Sequence, residues 1–226
     1  MKVLFLGRKK DYYSLELLKF LKKKKIKITK ILTDKPKQIK LKPKIYDYII
    51  SFRSYIILKK KNLSKIKYAS LNFHPGPPNY RGIGCANFAI YNQEKFYGVT
   101  AHIINEKIDN GKIIDVKYFR LKKNIDINSL LKISYKHQLN QAKKVLNKIF
   151  SKNGNLEKMI YLNRKIIWSK KLYLRKELND LYKIKKNIKK NKLDRIIRAT
   201  NYKNFKPYLI LGGKKFYLNE KKNNNF

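Results

Sequence analysis

The sequence predicts an α/β protein, a Rossmann-like parallel sheet with a small C-terminal α+β appendage. Three features carry that expectation. Short apolar runs (KVLFLG, IKITKILT, YDYIISF) alternate with a helical stripe, as in strand, helix, strand units with right-handed crossovers. A long amphipathic segment, residues 126–152, is then available to cover the sheet. Past residue 155 the pattern changes to shorter helices and a Gly-Gly hairpin, so the expected division is 1–155 and 156–226.

Taken in order, Lys2 to Gly7 reads as a buried strand, and Ser14 to Lys25 places Leu15, Leu17, Leu18, Phe20 and Leu21 on one helical stripe. Ile26 to Thr33 is the next strand, and Tyr46 to Phe52 follows a Lys/Pro loop as the third. Asn62 to Lys67 is a short helix or turn before a strand at Ala69 to Phe73. Gly84 to Asn92 reads as a helix, Gly98 to Asn105 and Lys112 to Phe119 as strands. In the segment from Asp126 to Lys152, Ile127, Leu130, Leu131, Leu139, Ala142, Val145, Leu146 and Ile149 form the apolar stripe. Asn153-Gly154-Asn155 stops it. The C-terminal part predicts helices over Arg175 to Asn187 and Leu193 to Thr200. A hairpin, Tyr208 to Leu211 with Lys214 to Leu218, turns at Gly212-Gly213, and the tail from Asn219 to Phe226 is expected to fray.

Composition narrows the classes of function. A chain of 226 residues with 43% hydrophobic residues is long enough to bury a core and is not a disordered chain. Lys and Arg number 57 against 14 acidic residues, giving +43 and a pI near 10.2, which suits a polyanionic partner such as RNA or a nucleotide. Lys, Asn, Ile and Tyr dominate throughout, and all four can be written with A- and T-rich codons, so compositional drift is the competing reading of the charge. Arg, the better phosphate reader, is scarce. The single Cys85 excludes internal disulfides and suits a reducing cytoplasm, where the protein is expected. It reads as a packed small residue. One Cys and three scattered His do not make a zinc site, so no metal is expected. No apolar run reaches the roughly 18 residues of a membrane span, so no membrane partner is expected.

Chemistry concentrates in LNFHPGPPNYRG (Leu71 to Gly82) and YGVTAHIINEKIDNGKII (Tyr97 to Ile114). Asn72 and His74 are two apart on a strand, so both project from one face at its C-terminal end. Asp109 opens a turn in a second loop. An amide that can hold an oxyanion, an imidazole that can move a proton and a carboxylate beside it suit acyl transfer to an amine. Singly, each has a plainer reading: a structural His beside Pro, and a turn-forming Asp. His102, alternating with Thr100 and Ile104, reads as buried support near the site, and His137 as a surface residue.

The same residues resemble those of the folate-dependent formyltransferases. Asn-x-His-Pro, the Pro-rich loop closing on Tyr-Arg-Gly, Gly-x-Thr-x-His and Asp-x-Gly-x-Ile match that family's motifs across about Lys2 to Phe119. The resemblance implies a formyltransferase domain in which Asn72, His74 and Asp109 are catalytic and 10-formyltetrahydrofolate is the donor. It further implies that the pterin is held largely by main-chain groups of Ser51, Phe52, Arg53, Ser54, Tyr55 and Ile56, with Ile104 and Ile108 on the facing wall. The loop Pro75-Gly76-Pro77-Pro78-Asn79 departs from the Pro-Ser-Leu-Leu-Pro of the tRNA-directed branch, and residues 156–226 are short for that branch's RNA-binding barrel. Both features resemble the branch that acts on nucleotide-linked amino sugars. Arg81, Gly82, Lys112, Arg8 and Lys9 are then candidate acceptor-binding residues, with Arg81 equally readable as a loop anchor. The +43 charge keeps methionyl-tRNA as an alternative acceptor. It also keeps a non-catalytic RNA-binding protein on the same scaffold, with Lys190, Lys192, Arg195 and Arg198 facing phosphate. A homodimer stays open.

Overall fold

Strand β1 (Lys2–Gly7) lies at the centre of the chain's first half because both of its faces are apolar: Val3 and Phe5 point to one side, Leu4 and Leu6 to the other, and all four are fully buried. The computed structural model describes residues 1–42 and 45–219. Helix α1 (Tyr12–Lys22), β2 (Lys27–Leu32), β3 (Tyr48–Phe52), the single-turn α2 (Lys60–Leu63) and β4 (Ala69–His74) follow. Next come a two-residue strand β5 (Arg81–Gly82), α3 (Cys85–Tyr91), β6 (Phe96–Ile103), β7 (Ile113–Arg120) and the long α4 (Ile127–Ile149). The remainder is α5 (Leu156–Leu162), β8 (Leu172–Tyr173), α6 (Arg175–Tyr182), β9 (Lys183–Ile184), α7 (Lys190–Thr200), β10 (Tyr208–Leu211) and β11 (Lys214–Tyr217).

The main sheet runs β2-β1-β3-β4-β6-β7. Its first four strands are parallel, as the alternation predicts, but β6 is antiparallel to both β4 and β7. The nine residues between Ile103 and Ile113 are too few for a parallel crossover, which needs about a dozen or more, so this pair closes as a hairpin. On one face Phe5, Phe52 and Phe73 pack against Leu17 and Leu21 of α1 and Ala142, Val145 and Leu146 of α4. On the other, Leu4, Leu6 and Ile49 meet Ile56 and Leu58.

The C-terminal segments attach through a second cluster, in which Leu178 and Leu181 of α6 and Ile196 and Ala199 of α7 meet Phe88, Ala89 and Ile90 of α3, with Tyr97 and Leu130. Helix α6 is shorter than the Arg175 to Asn187 expectation. It stops at Tyr182 because Lys183 and Ile184 extend alongside β10 instead. Helix α5 was not foreseen; its Leu156, Met159 and Ile160 pack back on the first core. The expected fraying tail beyond Asn219 lies outside the described residues, as do residues 43–44 of the Lys/Pro loop. Among the described residues no helix is long and apolar enough to cross a membrane.

One ion pair joins the start of α1, the loop after β3 and α4. Asp11 caps α1 by accepting from the Ser14 N–H at 2.8 Å and also receives Arg53 Nε at 2.9 Å, while the Arg53 guanidinium lies 3.4 Å from the Tyr135 ring centroid of α4. Both side chains are nearly buried, 8% and 13% exposed, so Arg53→Ala would strand a carboxylate. Arg53→Ala is expected to cost about 3 kcal/mol in urea unfolding, with Arg53→Lys recovering only part of it, since Lys lacks the planar fork.

Candidate active site

Strand β4 delivers Asn72 and His74 to its C-terminal end, and antiparallel β6 sets His102 opposite Asn72 and Thr100 opposite His74. The Asn72 amide Nδ2 is 3.1 Å from His102 Nε2. The β6–β7 loop carries Asp109 inward with a left-handed φ of 43°. Its Oδ2 lies 3.3 Å from His74 Nδ1 and accepts the Gly82 N–H at 3.0 Å, and its Oδ1 is 3.6 Å from His102 Nε2. The turn that follows requires Gly111, because any Cβ there would collide with the Ile103 carbonyl. The sequence thus brings Asn72, His74 and Asp109 together as expected, with His102 as a fourth member in direct contact with Asn72.

Burial by itself would raise the Asp109 carboxyl, but the adjacent His74 charge opposes it, followed by the nearby His102 ring and last by the Gly82 N–H. The net result holds Asp109 well below the usual carboxylate range. His74 has Asp109 Oδ2 at one ring nitrogen and the Tyr80 carbonyl at the other, 2.8 Å from Nε2. Both partners only accept, so each is served only by a ring nitrogen that carries a hydrogen. Gly76 makes room for this ring, since a Cβ there would come within 2.6 Å of Nε2. Cys85 Sγ lies 3.7 Å from the same nitrogen. Burial, followed by the Asp109 charge, pushes that thiol far up, so it stays protonated and packed.

Arg81 is an anchor. Its Nε donates to the Asp109 carbonyl at 2.7 Å, Nη2 to Ile108 O at 2.8 Å and Nη1 to Ser169 O at 2.9 Å, in a side chain 8% exposed. Of the two roles considered for it, the loop anchor is the one these three bonds describe. Trp168, which the sequence reading missed, donates Nε1–H to Gly111 O at 2.7 Å and meets both imidazoles edge-on, with centroids 5.8 Å from His74 and 5.0 Å from His102. The one available signal was that it is the only Trp in the chain.

The proposed pterin loop flanks Asn72 on its other side, Ser51 being its partner on β3. Ser51, Phe52 and Ile56 are buried, Arg53 is held by Asp11, and Ser54 Oγ accepts the Ile56 N–H. The loop therefore offers mainly main chain, plus the exposed Tyr55 ring under Arg8, 4.1 Å away. Ile104 packs toward the Leu4 and Leu6 cluster, and Ile108 is 57% exposed.

A cleft of about 740 Å³ opens beside His74. Arg8 and Gly82 line it, together with Tyr135 of α4 and, from the C-terminal region, Arg175, Tyr182, Tyr202, Lys206, Tyr208 and Lys215. Two expected acceptor residues are not brought there. Lys112 is exposed and opens on a different cavity of about 690 Å³ shared with Trp168 and Tyr161. Lys9 is exposed, its N–H bonded to Asp34. His137 is half-buried and stacks on Phe119 at 4.4 Å, so it packs rather than standing free. No group of His, Cys, Asp and Glu that could hold a metal occurs among the described residues.

Because Asp109 is depressed in the folded state, the stability it contributes is fully present above the unfolded carboxyl pKa near 4 and is lost as pH falls below it. Asp109→Asn is expected to flatten the acid limb of thermal stability between about pH 2 and pH 5, measured by calorimetry.

The chain is similar to known proteins in sequence and in fold. The family model described as formyl transferase matches residues 18–146. In sequence the chain is similar to the bifunctional polymyxin resistance protein ArnA of Wigglesworthia glossinidia brevipalpis, 37% identical over 94 residues, covering 41% of this chain and 14% of that protein. It is also similar to the methionyl-tRNA formyltransferase of Clostridium acetobutylicum, 38% identical over 89 residues, covering 39% of this chain and 27% of that protein. These matches span far less than two thirds of the curated relatives. In structure it resembles a sugar N-formyltransferase from Shewanella, with 18% identity, 96% of both chains covered and a TM-score of 0.75. It also resembles an N-formyltransferase from Helicobacter canadensis solved with folinic acid and dTDP-3-aminofucose, with 19% identity, 95% and 86% covered and a TM-score of 0.69. With the family model matched over residues 18–146, more than half of its length, this chain belongs to the formyl transferase family.

Proposed function

We propose that this protein transfers a formyl group from 10-formyltetrahydrofolate to a primary amine of a nucleotide-linked amino sugar. The observation that carries the acceptor is the cleft beside His74, whose far wall combines Tyr182, Tyr202 and Tyr208 with Arg175, Lys206 and Lys215. Aromatic faces suit a base, and cations suit a diphosphate. The cleft's size falls within the range of small-molecule sites. The structural relatives that match nearly the whole chain, one of them solved with a folate and a nucleotide amino sugar, support the same reading.

In this reading the folate supplies an activated formyl carbon, presented against the main chain of loop 51–56. The unprotonated amine attacks that carbon, and a C–N bond forms. Asn72 donates to the oxygen on which charge develops. In its protonated form His74, paired with Asp109, is the acid that stabilises the charge and supplies the proton to the departing folate nitrogen as its C–N bond breaks. The proton shed by the attacking amine restores the balance. Arg81 and Trp168 keep the Asp109 loop fixed, so the donors are oriented before reaction.

Asn72→Ala is expected to lower kcat by about 100- to 1,000-fold with little change in folding, the usual cost of one oxyanion donor; turnover near wild type would remove Asn72 from this role. Acceptor identity is settled by mass spectrometry of products from a panel of nucleotide amino sugars and methionyl-tRNA, each with formylated folate. The expected outcome is formylation of a nucleotide amino sugar, with acceptor affinity falling shallowly with salt, because only a diphosphate is neutralised. Formylation of methionyl-tRNA alone, with a slope several units steeper, would establish the tRNA reading that the Clostridium acetobutylicum relative represents.

A further inference from the structure

Asn72 can serve as a donor only if its amide is held one way round. The two ends of an Asn amide are nearly the same size, and a flip would present a carbonyl oxygen where an N–H is needed. The neighbour that decides this is His102. The two residues are direct partners in the β4–β6 register, and the β6–β7 ladder slips between Ala101 and His102, an irregularity of the kind that re-aims a side chain beside a site.

The His102 tautomer follows from its partners. Nδ1 lies 2.8 Å from the Ile103 carbonyl, which can only accept, so Nδ1 carries the proton. In the neutral ring Nε2 is then a bare lone pair, and the group facing it at 3.1 Å is the Asn72 amide. Asp109 Oδ1, at 3.6 Å, is beyond hydrogen-bond length from the same nitrogen. The ring is 3% exposed and is walled by the Trp168 indole at 5.0 Å and 82°, so it stays as placed.

We propose that His102, neutral and protonated on Nδ1, is a positioning residue that locks the Asn72 amide with Nδ2 inward. One Nδ2–H is bonded to His102 Nε2 and the other is left to donate to the oxyanion. A proton on Nε2 would instead place two donors face to face and favour the flipped amide. The proposal rests on the formyl-transfer reading for its consequence, but the His102–Asn72 pair itself is observable without turnover.

The experiment has two arms. In nitrogen-labelled protein, long-range histidine NMR spectra should show His102 in the Nδ1–H tautomer at neutral pH; an Nε2–H tautomer or an imidazolium there would overturn the proposal. In steady-state kinetics, His102→Ala should lower kcat by about 10- to 100-fold, the usual scale for a group that orients a site ligand, with KM for both substrates nearly unchanged. His102→Gln, whose side-chain oxygen can accept from Asn72, should restore most of the loss. An unaltered kcat in His102→Ala, or a folded His102→Gln as slow as His102→Ala, would also overturn it. If the wild-type protein formylates no acceptor, the functional reading fails, and the NMR arm alone decides whether the pair is locked.

Discussion

The arrangement depends on keeping one carboxylate inside the protein and aimed. Asp109 is largely withdrawn from water, a position that costs free energy unless its charge is answered nearby. His74 and the Gly82 N–H answer it on one oxygen. The loop that bears it would still leave carbonyls of its own without partners, and Arg81 closes those with a fork that also reaches Ser169 from a distant part of the chain. Two loops and the linker before β8 are thereby fixed against one another through a single guanidinium. Lys has a single nitrogen and could not span the three carbonyls.

This use of Arg bears on the chain's charge. Only eight of the 57 basic residues are Arg. Arg53 pairs with Asp11 and lies on Tyr135, Arg8 donates to the Arg53 carbonyl, Arg164 donates to the Tyr161 carbonyl, and Arg81 grips three carbonyls. The scarce acids follow the same rule: Asp11 and Asp126 cap helices, and Asp34 receives two main-chain N–H groups. At these positions the shape of the side chain matters, while Lys supplies most of the 57 basic residues.

Much of the first half was legible because period decides it. The four parallel strands, α1 and α4 follow from runs and stripes that bury both faces of the sheet, and Asn72 with His74 follows from two-residue spacing at a strand end. Other features are decided by distant partners. Nothing local in Arg175 to Asn187 says that Lys183 and Ile184 will pair with β10, and nothing local separates Arg81, which turns inward, from Lys112, which opens on another cavity. His102 was legible as buried support near the site, but its contact with Asn72 and the role of Trp168 were not, since each is defined by atoms far away in sequence.

The linker through Trp168 and Ser169 makes the site depend on residues far along the chain. Ser169 donates to the Pro78 carbonyl, accepts from Arg81, and is followed by Tyr173 stacked on Phe88 at 4.2 Å. The residues that carry the chemistry are made before residue 110, yet the contacts that seal them arrive some sixty residues later. Domains generally fold as units, so the enclosure of the two imidazoles by the Trp168 indole is a property of the whole fold and not of the strands that bear them. A lesion anywhere in the linker is therefore felt at the centre of the site.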